Sequence, residues 1–261
     1  MVQDRRAGKD QTGAPGTESA APGSRAATAR PWQDRRRRSF IDRLHILLAG
    51  LARPATGFTS QPEPRSIGLH ARGRQLTSGN FLLAGALVEA PDTVIWDIPM
   101  PDAEFCDATH GFAWLDDLAA VGTLPAQERA QKWVFEWIAR YGRGKGAGWT
   151  PDLTGRRLIR WINHTTLLLA GRPPADSHAF FASLTRQTVF LSRRWGAAAP
   201  GLPRFEALAG LVHAGLSLTG MERRVTAAST SSLSPSAVSA AGWPMPLRRR
   251  AISSAPSRPL I

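Results

Sequence analysis

The sequence predicts a mainly α-helical domain with one small β-hairpin near its start. Three observations carry that reading. From Phe112 onward apolar residues recur three and four positions apart, as in Trp133, Trp137 and Tyr141 or in Phe180, Leu184, Leu191 and Trp195, which is the period of one helix face. Prolines open these stretches and glycines close them. A single pair of short apolar runs inside "NFLLAGALVEAPDTVIWDI" supplies the only strand signal. The two ends lack periodicity, so the expected layout is a disordered basic leader at 1–39, a folded domain at 40–225 and a disordered tail at 226–261.

In chain order, residues 1–39 are rich in Gly, Ala, Ser and Pro and carry Arg35 to Arg38, a composition that cannot bury enough apolar surface to order itself. "RRRRSFIDRLHILLAGLA" then sets arginines before a short apolar stretch. It reads as an amphipathic helix, Phe40 to Ala52, packed on the domain. The competing reading is a weak twin-arginine export leader, which Asp42, Arg43 and His45 interrupt. The hairpin is expected from runs at Phe81 to Glu89 and Thr93 to Ile98, joined at Pro91-Asp92. Helices follow at Phe112 to Val121, Pro125 to Tyr141, Gly148 to Gly171, Asp176 to Trp195 and Pro203 to Leu218. Short connections make neighbours antiparallel, giving stacked helical hairpins.

The tail is set apart by charge. No Asp or Glu follows Glu222, and from Thr226 the composition of Ala, Ser, Pro and Arg is that of a natural disordered tail or, the preferred reading, of a GC-rich gene translated out of frame. Cys106 is the only cysteine, so no intramolecular disulfide forms. No apolar run reaches the roughly 18 to 20 residues of a membrane span. The compartment stays open: cytoplasmic for want of a clear signal peptide, periplasmic if the arginine leader acts. A formal charge of +13 raises anionic partners, although much of it sits at the ends.

The stretch "GWTPDLTGRRLIRWINHTTLLLAG" carries the strongest functional signal. Wound at about 100° per residue, it puts Leu158, Trp161, Ile162, Thr165, Leu168 and Leu169 on one side and Arg156, Arg160, Asn163 and His164 on the other. Such a stripe is either a solvated face or a surface whose guanidinium and amide groups bind carboxylates or sulfates. His45, His70, His178 and Cys106 show no metal-ligand spacing, and "GRGKGAGWT" lacks the lysine and hydroxyl residue of a phosphate loop. Neither metal nor cofactor is expected.

Three segments, "HGFAWLDDL" from His110, "GWTPDLTGRRLIRWI" from Gly148 and "GLPRFEALAGLVHAGLSL" from Gly201, resemble in order and distance the N-terminal part of the heparinase II/III-like family. That resemblance implies an incomplete α/α toroid and β-elimination on a uronate-containing acidic polysaccharide. A donor would neutralise the uronate carboxylate while Tyr or His moves the protons. Leu202 and Pro203 stand where the family's neutralising Asn is placed, and Tyr141 matches no catalytic position. The catalytic residues are therefore not found. The cleft expected from the resemblance is lined by Arg156, Arg160, Trp149 and Trp161, with Asn163, His164 and His110 as further substrate contacts. The other function class is a non-catalytic basic module, for nucleic acid or an anionic envelope polymer, working through Arg35 to Arg38 and Arg248 to Arg250; nucleic acid is the less favoured of those partners.

Overall fold

Helix punctuation is visible throughout the computed structural model, which describes residues 32–60 and 67–232, with side chains for 40–60 and 67–228. Ten α-helices and one two-stranded antiparallel sheet occur among these residues. They run α1 (Trp32–Ala49), α2 (His70–Thr77), β1 (Asn80–Leu83), β2 (Ala86–Glu89), α3 (Ala103–His110), α4 (Ala113–Val121), α5 (Leu124–Tyr141), α6 (Pro151–Asn163), α7 (Thr165–Leu169), α8 (Pro174–Arg194), α9 (Leu202–Ser217) and α10 (Glu222–Ser232). Proline in the first turn starts α5, α6, α8 and α9, where its missing N–H costs nothing. Gly122, at φ 68°, stops α4.

Several boundaries differ from the sequence reading. Both strands of the hairpin fall on its expected first run, with one added residue at the start: β1 and β2 pair from Asn80↔Glu89 to Leu83↔Ala86. The turn is Ala84-Gly85, both at positive φ, the backbone of a two-residue hairpin turn. Pro91-Asp92 makes no strand connection, and 93–98 forms no strand. The expected single helix from Gly148 to Gly171 is two. It starts at Pro151, preceded by Thr150, and breaks at His164 (φ −100°, ψ 18°). There Thr165 turns its hydroxyl back onto the Trp161 and Ile162 carbonyls, at 2.8 and 2.9 Å, and the imidazole is held by another helix.

Helix α1 begins at Trp32, so Arg35 to Arg38, assigned to the leader, stand in a helix. Helix α10 likewise continues to Ser232, past the point where periodicity was expected to end. The expectations for 1–31 and 233–261, including Arg248 to Arg250, lie outside the described residues.

The core is aromatic. Phe112 lies within 6 Å, centroid to centroid, of Trp96, Trp114, Trp137 and Trp161, and Trp161 stacks on Phe180 at 5.5 Å. Edge-to-face and tilted pairs of this kind add to the area they bury. Phe112 itself adopts φ 62° between α3 and α4, a conformation costing about 1 kcal/mol or more for a non-glycine residue. Complete burial of its ring offsets that cost.

Helices α6 and α9 meet through backbone. A Cβ on Gly155 would stand 2.3 Å from the Glu206 carbonyl oxygen, and one on Gly210 would stand 2.3 Å from the Gly155 Cα. Only glycine at both positions lets the two helices touch. The N-terminal segment is sewn to this layer. Ala55 N–H donates to Thr185 Oγ1 at 2.8 Å, and Phe58 bridges Leu218. Helix α1 packs on α8 through Asp42, Ile46 and Ala49, and Arg194 Nε donates to Asp42 at 2.7 Å.

Candidate functional site

Two faces stand out, a polar one on α6 and an apolar one on α1. The α6 stripe is half-buried, and its polar groups are paired within the domain. Arg156 reaches Glu206 of α9 through Nε at 2.8 Å and Nη2 at 2.7 Å. Arg160 Nε donates to Asp116 Oδ2 at 2.9 Å, and its Nη1 donates to the Gly111 carbonyl at 2.9 Å. His164 Nε2 donates to the other Asp116 oxygen at 2.8 Å, and His213 Nε2 donates to Asn163 Oδ1 at 3.0 Å. Helices α4 and α9 each bring an acid to meet the arginines, which stay partly exposed, at 32% for Arg156 and 24% for Arg160.

The electrostatics follow the contacts. Burial alone would push the Asp116 carboxyl upward, but the His164 hydrogen bond and the Arg160 charge outweigh it and leave the pKa lowered. Its neighbour Asp117 is raised, because burial there exceeds what the hydrogen bond from Leu69 N–H and the Arg72 charge return.

The expected sugar-stacking indoles are interior. Trp161 is completely buried. Trp149 packs between Trp137 and Phe190 and donates from Nε1 to the Tyr141 carbonyl at 2.7 Å. His110 is buried too, its Nδ1 accepting from Trp137 Nε1 at 3.2 Å, which fixes the neutral tautomer with hydrogen on Nε2. Burial first, and the Arg157 charge second, lower its pKa to about 4.

Sequence reasoning missed the residue at the middle of this cluster. Arg157 is 0% exposed and donates to Gln187 Oε1 at 2.7 Å, the Gly148 carbonyl at 2.9 Å, the His110 carbonyl at 3.1 Å and Thr154 Oγ1 at 3.3 Å. Its guanidinium lies 4.0 Å from the Trp137 ring centroid and 5.5 Å from that of Trp149. Burial pulls its pKa well down, yet oriented acceptors and an indole face are what keep a guanidinium charged inside a protein. The available signal was position: on the wheel Arg157 falls at the edge of the apolar face, beside Trp161. All seven expected site residues thus gather around α6, each held by neighbours within the domain.

The apolar face on α1 is the reverse case. Phe40, Ile41, Leu44, Leu47, Leu48 and Leu51 are 43–84% exposed. At about 100° per residue the first five, all in α1, fall within an arc of roughly 120°, opposite Asp42, Ile46 and Ala49, and Leu51 follows in the turn after the helix. Among the described residues no helix is long and apolar enough to cross a membrane. A separate groove of about 400 Å³ between residues 91–94 and α5 has mixed lining charge, with Asp92 and Glu128 beside Arg129 and Lys132.

No family model matches this chain, and no solved structure matches it. Among curated proteins it is similar to FtsZ-localized protein C of Caulobacter vibrioides (strain NA1000 / CB15N), 32% identical over 145 residues, covering 55% of this chain. The match spans 25% of that protein's length. These findings overturn the heparinase II/III resemblance and, with it, the polysaccharide-lyase reading. The relative is named for where it localises, and no lyase model supports the three quoted segments.

Proposed function

We propose that this chain is a cell-division-related localisation module that docks on an anionic lipid surface through α1. The localisation half is supported by the 145-residue similarity to a protein named as FtsZ-localized. The docking half is carried by one observation: five large apolar side chains on a single face of α1, with Leu51 just after it, lie uncovered, in the helix that contains Arg35 to Arg38. An exposed apolar stripe beside a basic cluster is the pattern of a helix lying in the membrane interface. Apolar burial and attraction to acidic headgroups then act together, each basic residue contributing about 1 kcal/mol.

The finer architecture, an incomplete toroid of antiparallel hairpins, belongs to the same proposal. Packing of α4 on α5 and of α9 on α10 supports it, while the extensive α6 contact with α9 is a non-sequential addition.

The test is sedimentation with vesicles. The full chain should pellet with phosphatidylglycerol vesicles and not with phosphatidylcholine vesicles, should be released as salt rises, and should lose binding when Leu44→Glu and Leu47→Glu are combined. Binding indifferent to lipid charge, or unchanged in the double variant, would overturn the docking half. A fluorescent fusion imaged beside FtsZ tests the other half; a signal that does not follow FtsZ overturns it.

A further inference from the structure

A second apolar stripe lies on α9, and its spacing differs from that on α1. Leu202, Phe205, Ala209, Val212 and Leu216 succeed one another at intervals of three, four, three and four, the heptad repeat of a helix that packs along another helix. Leu202, Phe205, Val212 and Leu216 are 37–71% exposed. The opposite side of α9, with Ala207, Gly210, Leu211 and Ala214, is buried against the domain.

We infer that α9 is a self-association surface, pairing antiparallel with α9 of a second copy about a two-fold axis near Ala209. Four features favour a second copy over lipid or an unrelated partner. The stripe is nearly palindromic about Ala209, so a two-fold sets Leu202 opposite Leu216 of the other copy and Phe205 beside its Val212. That self-complementarity is what an isologous interface requires. Small Ala209 at the centre allows the two helices to approach closely.

Charge also fits. Helix α9 carries one arginine and one glutamate. Glu206 is neutralised by Arg156, and Arg204 is turned back to donate to the Ala198 carbonyl at 3.1 Å. A chain of net charge +13 repels its copies least across such a face, whereas α1 has the arginines that suit lipid. Area sets the strength: four partly exposed side chains offer on the order of 400 Å² per copy, about half of a standard interface, which places the dimer in the weak, reversible class.

Sedimentation velocity on the full chain tests this. Between about 1 and about 300 μM the weight-average mass should rise from monomer toward dimer, as expected for a weak interface. Phe205→Glu and Leu216→Glu should each hold the chain monomeric at both concentrations, with an unchanged circular dichroism spectrum because both sites are exposed. Under mild oxidation Ala209→Cys should cross-link to itself while Leu124→Cys does not, and adding Phe205→Glu should abolish the cross-link. A chain monomeric throughout would overturn the inference. So would association that survives both α9 variants and disappears in Leu44→Glu, since that assigns self-association to α1. Vesicle binding is a separate measurement and stands or falls without this one.

Discussion

Helices α6 and α1 reverse the usual relation between side-chain character and exposure. The α6 stripe is charged and half-buried against partners within the domain, while the α1 stripe is apolar and faces outward. Polarity patterning assumes that water is the only partner for charge and that the core is the only partner for hydrocarbon. Helix α6 departs from the first assumption because Asp116 and Glu206 are supplied by other helices. Helix α1 departs from the second because its inward face is already occupied by contact with α8. A buried charge is tolerated only when every partner is in place, whereas an exposed apolar stripe has almost no folding role to lose. The two helices should therefore respond very differently to substitution.

Arg157→Leu should cost the most, about 3–5 kcal/mol of unfolding free energy, because it leaves Gln187 and two buried carbonyls without their donor. Denaturant unfolding would measure it. A loss below about 1 kcal/mol would mean that the hydrogen bonds around Arg157 are not what holds the interior.

Acid should act next. His110 titrates at about 4 folded against about 6.5 unfolded. Between those values the unfolded chain binds the extra proton, so this contribution is complete above about pH 6.5 and is lost as pH falls toward 4. The loss amounts to about 3 kcal/mol. Stability measured at pH 7 and pH 4.5 should show that slope, and His110→Gln should flatten it. Asp116, whose folded pKa is lowered, adds a loss at still lower pH.

Gly155→Ala should follow, at about 2–3 kcal/mol, since its Cβ meets backbone of α9 that cannot yield locally. Thermal unfolding reads this directly, and a neutral result would show that α6 and α9 can separate without penalty.

Leu44→Glu should change stability least, within about 0.5 kcal/mol, while weakening attachment to anionic vesicles. A large stability loss there would mean that the α1 face is covered within the folded chain, and the contrast between the two helices would collapse.

Much of the fold was legible because it depends on local chemistry. Pro125, Pro203, Gly122 and the three-and-four spacing of α5, α8 and α9 marked those helices to within a residue or two. A hairpin was expected in this region, but its turn and second strand were misplaced, since Ala84 at φ 50° is not a residue that announces a left-handed turn. The seven residues around α6 were recognised as a group, and their environment was not. Their acids, Asp116 and Glu206, lie 44 and 50 residues away from the arginines they meet, and nothing in the spacing of α6 points to them. The lyase reading failed for a related reason: short Trp, Gly and Arg motifs describe how helices pack as readily as they describe a family.

What local sequence decided is where helices begin, end and turn, because proline geometry, glycine freedom and apolar periodicity act within a few residues. What packing alone decided is which way each face looks. Contact between Gly155 and Gly210 brings α9 onto α6 and pairs Arg156 with Glu206, and α8 occupies one side of α1 and leaves the other uncovered. Burial is a property of what lies across from a side chain, and that neighbour comes from a distant part of the chain.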